Sequence, residues 1–309
     1  MVYYFIVNPN AGSGRGLKVW NSLKRLLARK RIPYDVYFTA SSGDARRKAQ
    51  ALSGQTLEET LCLVTVGGDG TMNEVLDGLA LNSHVVLSMI PCGSGNDLGR
   101  GLGFSQNAKR QLTKLLSSSR IDVLDYGVLS CAENGCIRRF LISSGIGLDA
   151  AVCHDLLDSR LRDGCGRLGM KKLAYLLAGV REFVAARPVR GWLLLDGVRK
   201  VEFNYILFIS IHNLPSEGGG FRFAPMAEPH DGKLSICVVS NRSKLKLIQP
   251  LLRSSRKPLR ETAGVHFFSC TEAHIHTEVP LAVHVDGESC RYQTDIDLRC
   301  VQGQLKFLR

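Results

Sequence analysis

The stretch from Leu61 to Glu74, Leu-Cys-Leu-Val-Thr-Val-Gly-Gly-Asp-Gly-Thr-Met-Asn-Glu, constrains this chain more than any other. The apolar run Leu61 to Val66 reads as a buried strand. It stops abruptly at Gly67, Gly68, Asp69 and Gly70, and a helical pattern, Met72 to Leu81, follows at once. A strand that runs into such a turn can bring bare backbone N–H groups against a phosphate. The helix behind it adds the positive end of its dipole. Asp69 then stands where it can hold a cation or a water beside that phosphate. The plain alternative is a strand-to-helix turn that only needs glycine.

That alternative weakens because two similar turns lie in the same half of the chain. Asn8-Pro9-Asn10-Ala11-Gly12-Ser13-Gly14-Arg15-Gly16 follows the apolar run Val2 to Val7. Pro91-Cys92-Gly93-Ser94-Gly95-Asn96-Asp97 follows Val85 to Ile90. Open α/β sheets bind ligands at the carboxyl edge of their strands, so the three turns are expected to converge in space.

Strands are expected at 2–7, 34–39, 61–66 and 85–90, and helices at 17–30, 44–53, 72–81 and 108–118. This alternation predicts a Rossmann-like parallel sheet flanked by helices. Beyond residue 124 the pattern changes. The runs Val189–Leu195 and Val201–Ile211 flank Asp196-Gly197, a hairpin signal. Further strand-like runs lie at 234–239, 265–270, 281–285 and 291–298, with helical segments near 150–160 and 169–186. The reading is a nucleotide-binding α/β domain, 1–124, and the carboxyl-terminal segment 298–309 could belong to either domain. A mainly antiparallel β-sandwich domain, 125–297, serves the substrate.

Taken together, the three turns resemble the catalytic domain of diacylglycerol kinases and related lipid kinases. Ala11 and Ser94 stand where that family often has Ser and Thr, and Ser94 keeps the hydroxyl. The resemblance runs on through Ser143-Ser144-Gly145-Ile146-Gly147-Leu148-Asp149-Ala150. It continues through Asn213, Gly218-Gly219-Gly220, Ala224-Pro225 and Asp231-Gly232-Lys233-Leu234, and ends at Asp286-Gly287-Glu288. None of these motifs is specific alone; their order along the chain is.

Phosphoryl transfer needs positioning and charge neutralisation more than covalent chemistry. The resemblance implies ATP and Mg²⁺. It places the nucleotide against Asn8, Pro9, Asn10, Ala11, Gly12, Ser13, Thr39, Gly67, Gly68, Asp69, Gly70, Thr71, Asn73, Glu74, Gly93, Ser94, Asn96 and Asp97. Asp69 and Asp97 are the acids able to organise Mg²⁺, directly or through water; Asp97 can equally cap the helix that follows it. The family also implies a structural Mg²⁺ at Asp231, with the backbone carbonyls of Glu228 and Lys233. By the residues alone, Pro229-His230-Asp231-Gly232 is an ordinary turn. Asp286 is the candidate general base for a lipid hydroxyl. Glu288 is the alternative, and a simple hairpin turn at Asp286-Gly287 is the plain reading. His274, His276 and His284 read as surface or packing histidines rather than as metal ligands.

Net charge is +12. Basic clusters lie at Lys24–Arg31, Arg160–Lys172 and Arg242–Arg260. Each one alone reads as a solvated helix face. Together they suit anionic lipid head groups, and without aromatic interleaving they do not suit nucleic acid. The ten cysteines lack metal or Cys-x-x-Cys spacing, which favours a reducing cytoplasm over a disulfide scaffold. The apolar start of the chain has no basic lead and reads as a core strand, not a signal peptide. No run has the roughly 18 apolar residues of a membrane span.

The expectation is therefore a cytoplasmic, peripherally membrane-associated ATP:lipid phosphotransferase making phosphatidic acid from diacylglycerol, with a homodimer as an option. Asp286 lies about 200 residues beyond the nucleotide turns, so the active site is expected in a cleft between the domains. A sphingoid-lipid kinase is the nearest alternative. An NAD-kinase-like or phosphofructokinase-like enzyme is weaker, because the Pro91–Asp97 turn and the Gly218–Pro225 block argue against it. A non-catalytic lipid or nucleic-acid binding module would have no use for Asp69, Asp97 and Asp286. The spacing of Gly12, Gly14 and Gly16 is not the dinucleotide fingerprint of an oxidoreductase.

Overall fold

The computed structural model describes residues 1–55, 59–80, 84–133, 135–158 and 179–309. The chain divides into two compact units, Met1–Tyr126 with Gln302–Arg309, and Gly127–Val301.

In the first unit strands and helices alternate. The order is β1 (Val2–Val7), α1 (Ala11–Lys30), β2 (Tyr34–Phe38), α2 (Asp44–Ser53), β3 (Leu61–Gly67), α3 (Asp69–Gly78), β4 (Val85–Pro91), α4 (Asp97–Gly101) and α5 (Ala108–Ser117). β1 pairs in parallel with β2 and β3, and β3 with β4. All seven residues of β3 and of β4 are buried. Strands covered on both faces read as unbroken apolar runs, which is why these two are plain in the sequence. On α1, Trp20, Leu23 and Leu27 share one face and pack with Phe5, Val7, Val64 and Val66. Such a spacing is what a helix needs to lie on a sheet. The end of the chain returns here. Phe307 pairs with Leu87, and Ser88 Oγ donates to the Leu308 carbonyl at 2.9 Å.

The second unit is mainly antiparallel. β5 (Ile121–Cys131), β6 (Ile137–Phe140) and β7 (Ser143–Gly147) lead into α6 (Leu148–Asp158). β8 (Val189–Leu195), β9 (Arg199–His212), β10 (Leu234–Ser240), a helix Leu245–Ser254, β11 (Val265–Cys270), β12 (Glu272–Val285) and β13 (Glu288–Leu308) follow. β9 and β12 each change partners along their length. One half of each pairs with β7 and the other half with β8. Register shifts between His276 and Leu281 let β12 make that change. Leu129, Phe140, Ile146, Leu193, Ile209, Ile236, Ile275, Val283 and Ile296 form the core between them.

Several elements differ from expectation. α3 starts at Asp69 rather than Met72, and α1 follows a turn in which Gly12, Ser13 and Gly14 have φ of 59°, 61° and 81°. β12 reaches back to Glu272 and β13 runs far past residue 298. The early part of β12 is polar because His274 and His276 face Asp297 and Asp295 across the ladder. β7 carries two glycines and two serines and gave no strand signal, yet all five residues are buried. The helix Leu245–Ser254, which contains Pro250, was not assigned as an element, although the basic cluster there reads as a solvated helix face. Leu81, the Arg160–Lys172 cluster and most of the helical segment expected at 169–186 lie outside the described residues.

Candidate active site

The three glycine turns meet within the first unit. Asn8, at the end of β1, donates through Nδ2 to Thr71 Oγ1 at 3.0 Å and accepts from Asn10 N at 3.0 Å. The first turn thereby joins the second. A Cβ on Gly12 would lie 2.3 Å from the Cys92 carbonyl oxygen, so the first turn also rests on the third. A Cβ on Gly93 would lie 2.5 Å from Gly68 Cα, which leaves room only for glycine against glycine. Cys92 N donates to the Gly67 carbonyl at 2.8 Å and continues the β3–β4 ladder into the turns.

Asp69 and Asp97 sit together. Asp69 accepts from Asp97 N at 3.0 Å and from Leu98 N at 3.2 Å, one N–H on each carboxylate oxygen. It thus caps α4 from outside that helix. Gly95 brings them together, since a Cβ there would lie 3.0 Å from Asp69 Oδ2 and 3.3 Å from Asp97 Oδ2. Arg100 pairs with Asp97 and also donates to the Gly95 carbonyl. Asn96, at φ 57°, donates to the Gly93 carbonyl and to Gln106 Oε1. Arg100 and Gln106 were not anticipated. Their signal in the sequence is only that they follow the third turn within one short helix and its exit.

Other expected residues have structural partners. Thr39 is buried, and its N–H donates to the Val7 carbonyl beside the first turn. Glu74 accepts from Ala45 N at 3.2 Å and Ser42 Oγ at 3.3 Å, so it holds the start of α2. Asn73 is buried within α3. Arg15, also unanticipated, lies close enough to Cys92 to oppose the burial that pushes that thiol up to about 11. A guanidinium beside a glycine-rich turn adds positive charge where phosphate oxygens would rest.

In the second unit, Asp286 has φ 47° and Gly287 φ 84°, the left-handed pair of a tight turn between β12 and β13. Its carboxylate accepts three backbone N–H groups: Leu141 at 3.0 Å, Ile142 at 2.9 Å and Ser143 at 3.0 Å. Asp286 N returns a bond to the Ser143 carbonyl at 2.8 Å. The side chain is thus held in one orientation. Glu288 stands two residues on, at the first position of β13.

Beneath this turn lies a buried polar cluster that sequence reasoning assigned only in part. His284, Asp149 and Glu217 bring ligand-type atoms within 4.8 Å of one another. His284 Nε2 is 3.5 Å from Asp149 Oδ2, while Gly287 N donates to His284 Nδ1 at 3.2 Å. That second bond puts the proton of neutral His284 on Nε2, facing Asp149. Burial works against charging His284. The hydrogen bond and charge of Asp149, with Glu217 and Asp286, outweigh burial and raise its pKa above the usual 6.5. Ser210 bonds both His212 and Glu217, and extends the network.

Glu228, Asp231 and Lys233 lie on an exposed turn before β10, where Asp231 Oδ1 accepts from Lys233 N at 3.0 Å. His274 and His276 pair with Asp297 and Asp295 and lie against the Trp192 ring. They are packing histidines with carboxylate partners. No disulfide joins the described cysteines.

Residues 2–128 match the family model of the diacylglycerol kinase catalytic domain, and residues 143–309 match that of the YegS C-terminal NAD kinase beta sandwich-like domain. The chain belongs to the YegS-type lipid kinase family, in which a diacylglycerol kinase catalytic domain precedes the YegS C-terminal domain. It is thus a two-domain α/β protein with a β-sandwich-like second domain, and a kinase of the lipid-kinase type. The kinase family implies ATP as a substrate. A diacylglycerol kinase of Mycobacterium tuberculosis is 27% identical over 310 residues, covering 98% of this chain and 94% of that protein. A diacylglycerol kinase of Bacillus subtilis is 24% identical over 284 residues, covering 92% and 88%. The crystal structure of a diacylglycerol kinase from Bacillus anthracis shares the fold. Its TM-score is 0.72 at 24% identity, over 99% of this chain and 96% of that one. Among the described residues of this family member, no helix is long and apolar enough to cross a membrane.

Proposed function

We propose that this kinase transfers the γ-phosphate of ATP to the primary hydroxyl of diacylglycerol, giving phosphatidic acid. The observation that carries the reading is the meeting of Gly12 with Cys92, Gly68 with Gly93, and Asp69 with Asp97. These contacts bring the three turns together where neither Gly12 nor Gly93 has room for a side chain of its own. Nucleotide phosphates are a ligand that such a backbone surface fits.

In this reading Asn8, Gly12, Ser13, Gly67, Gly68, Gly70, Thr71, Gly93, Ser94 and Asn96 hold the nucleotide, with Arg15 adding charge. Asp69 and Asp97 present carboxylate oxygens of the kind hard cations prefer. Mg²⁺ held there would neutralise charge on the phosphates. Asp286 accepts the proton of the lipid hydroxyl as its oxygen bonds to the γ-phosphorus and the bond to the β-phosphate oxygen breaks. Its three backbone donors hold the carboxylate in one orientation for that transfer. Glu288 is the alternative base. Asp231 with the Glu228 and Lys233 carbonyls would hold a second, structural Mg²⁺.

Two relatives that span nearly the whole chain are named diacylglycerol kinases, which favours this acceptor over a sphingoid lipid. The test is transfer from γ-labelled ATP across a panel of diacylglycerol, sphingosine, ceramide and NAD. Label in phosphatidic acid supports the reading. Label in another lipid moves the acceptor, and label only in NAD removes the lipid assignment.

A further inference from the structure

The helix Leu245–Ser254 shows two apolar faces. Leu247 is buried and Leu251 packs beside it against Leu148, Leu207, Val239 and Val265. About 110° round the helix from that pair, Leu245, Ile248 and Leu252 are 75%, 37% and 59% exposed. At about 100° per residue these three fall within a sector of roughly 60°. A surface helix normally presents polar residues there.

The stripe is enlarged by a neighbour. Lys244 Nζ donates to the carbonyls of Phe183, Val184 and Ala186 at 2.9, 2.9 and 2.7 Å. It thereby fastens the end of the helical segment 179–185 to the start of Leu245–Ser254. Val180 and Val184 on that segment are 54% and 72% exposed. The apolar residues of two adjoining helices thus face solvent in one region of the second unit.

The charge around them has one sign. Between residues 241 and 260 there are seven Lys or Arg and no Asp or Glu. Lys246 and Arg253 lie about 80–100° round the helix from Leu245, and both are exposed, as are Arg242, Arg256 and Lys257. Exposed leucines beside a purely basic flank match a layer that is apolar beneath an anionic surface.

We propose that Leu245, Ile248 and Leu252, with Val180 and Val184, dock the protein on an anionic phospholipid bilayer. The leucines enter the boundary of the acyl chains, and Lys246, Arg253, Arg256 and Lys257 meet the head-group phosphates. Leu247 and Leu251 anchor the same helix to the core that holds Leu148, at the start of α6. The surface is therefore rigidly attached, not a loose tail.

The test is co-sedimentation of the full chain with phosphatidylcholine vesicles, with and without phosphatidylglycerol, at low and high salt. Wild type is expected to sediment with the anionic vesicles and to release as salt rises. Leu245→Glu/Leu252→Glu should lower binding by roughly tenfold or more. Lys246→Gln/Arg253→Gln should weaken binding and flatten its salt dependence. Val198→Glu, at an exposed valine in the β8–β9 turn, should bind as wild type. Unchanged melting temperatures check that the variants fold. The proposal is overturned if Leu245→Glu/Leu252→Glu sediments as wild type does, or if wild type ignores anionic vesicles. A protein partner would then be the better occupant. Because no turnover is read, this outcome is separate from that of the phosphotransfer assay.

Discussion

Asp69 caps a helix it does not belong to: its Oδ2 accepts the backbone N–H of Asp97 at 3.0 Å, across 28 residues of sequence. One carboxylate therefore does two things in the proposed mechanism. It fixes the third turn, and it carries charge toward Mg²⁺.

The two duties can be separated by substitution. Asp69→Asn keeps one oxygen to accept an N–H and should lower kcat/KM by about 100-fold or more while the fold persists. Asp69→Ala loses both bonds and should also destabilise by about 1.5–3 kcal/mol. Kinetics and thermal melts on both variants check this. Near-normal kcat/KM in Asp69→Asn would remove the catalytic role.

Gly93 is the tightest point between the second and third turns. Gly93→Val should cost about 1–3 kcal/mol, since even its Cβ would press on Gly68 Cα. It should also weaken ATP affinity by spoiling the backbone surface. Gly68→Val should act in the same direction. ATP titration by calorimetry reads the second effect, and unchanged affinity in both variants would count against the cradle.

At the turn between β12 and β13, Asp286→Asn is expected to lower kcat strongly and to leave ATP binding nearly unaltered. Asp286→Ala adds a loss of about 3 kcal/mol of stability, because three backbone donors lose their acceptor. Glu288→Gln decides the base. If only that change is crippling, the proton goes to Glu288. If neither variant affects kcat, the proposed proton transfer is wrong.

His284 sets a pH dependence. Its raised pKa means that the folded state binds a proton more tightly than the unfolded state does. The linked stabilisation is full below the unfolded value of about 6.5 and is lost as pH rises through the folded value. Wild type should therefore lose stability relative to His284→Gln as pH rises from about 6.5 into the alkaline range. Parallel melting curves over that range, with a constant difference, would show that Asp149 and Glu217 do not hold the proton on His284.

How much of this was legible in the sequence differs between the two halves. Parallel strands buried on both faces must be apolar throughout, so β1, β3 and β4 announced themselves, and the glycines at their ends marked the turns. Chain order alone cannot say that Gly68 touches Gly93 or that Asp69 caps the helix at Asp97, because those contacts join residues brought together by neighbouring strands. In the second half, β7 is Ser-Ser-Gly-Ile-Gly and the start of β12 alternates histidine with alanine and isoleucine. Neither shows an apolar run, since β7 lies close against Phe208 and the Asp149 carboxylate, where side chains have no room. The alternating first domain, the turns and the acids available for chemistry could be read from the chain alone, because local periodicity and glycine content report on backbone form. What those acids bond to, that His284 lies between Asp149 and Gly287, and that two helices leave leucines and valines in water came from the folded arrangement. Partners so far apart in sequence leave no periodic trace.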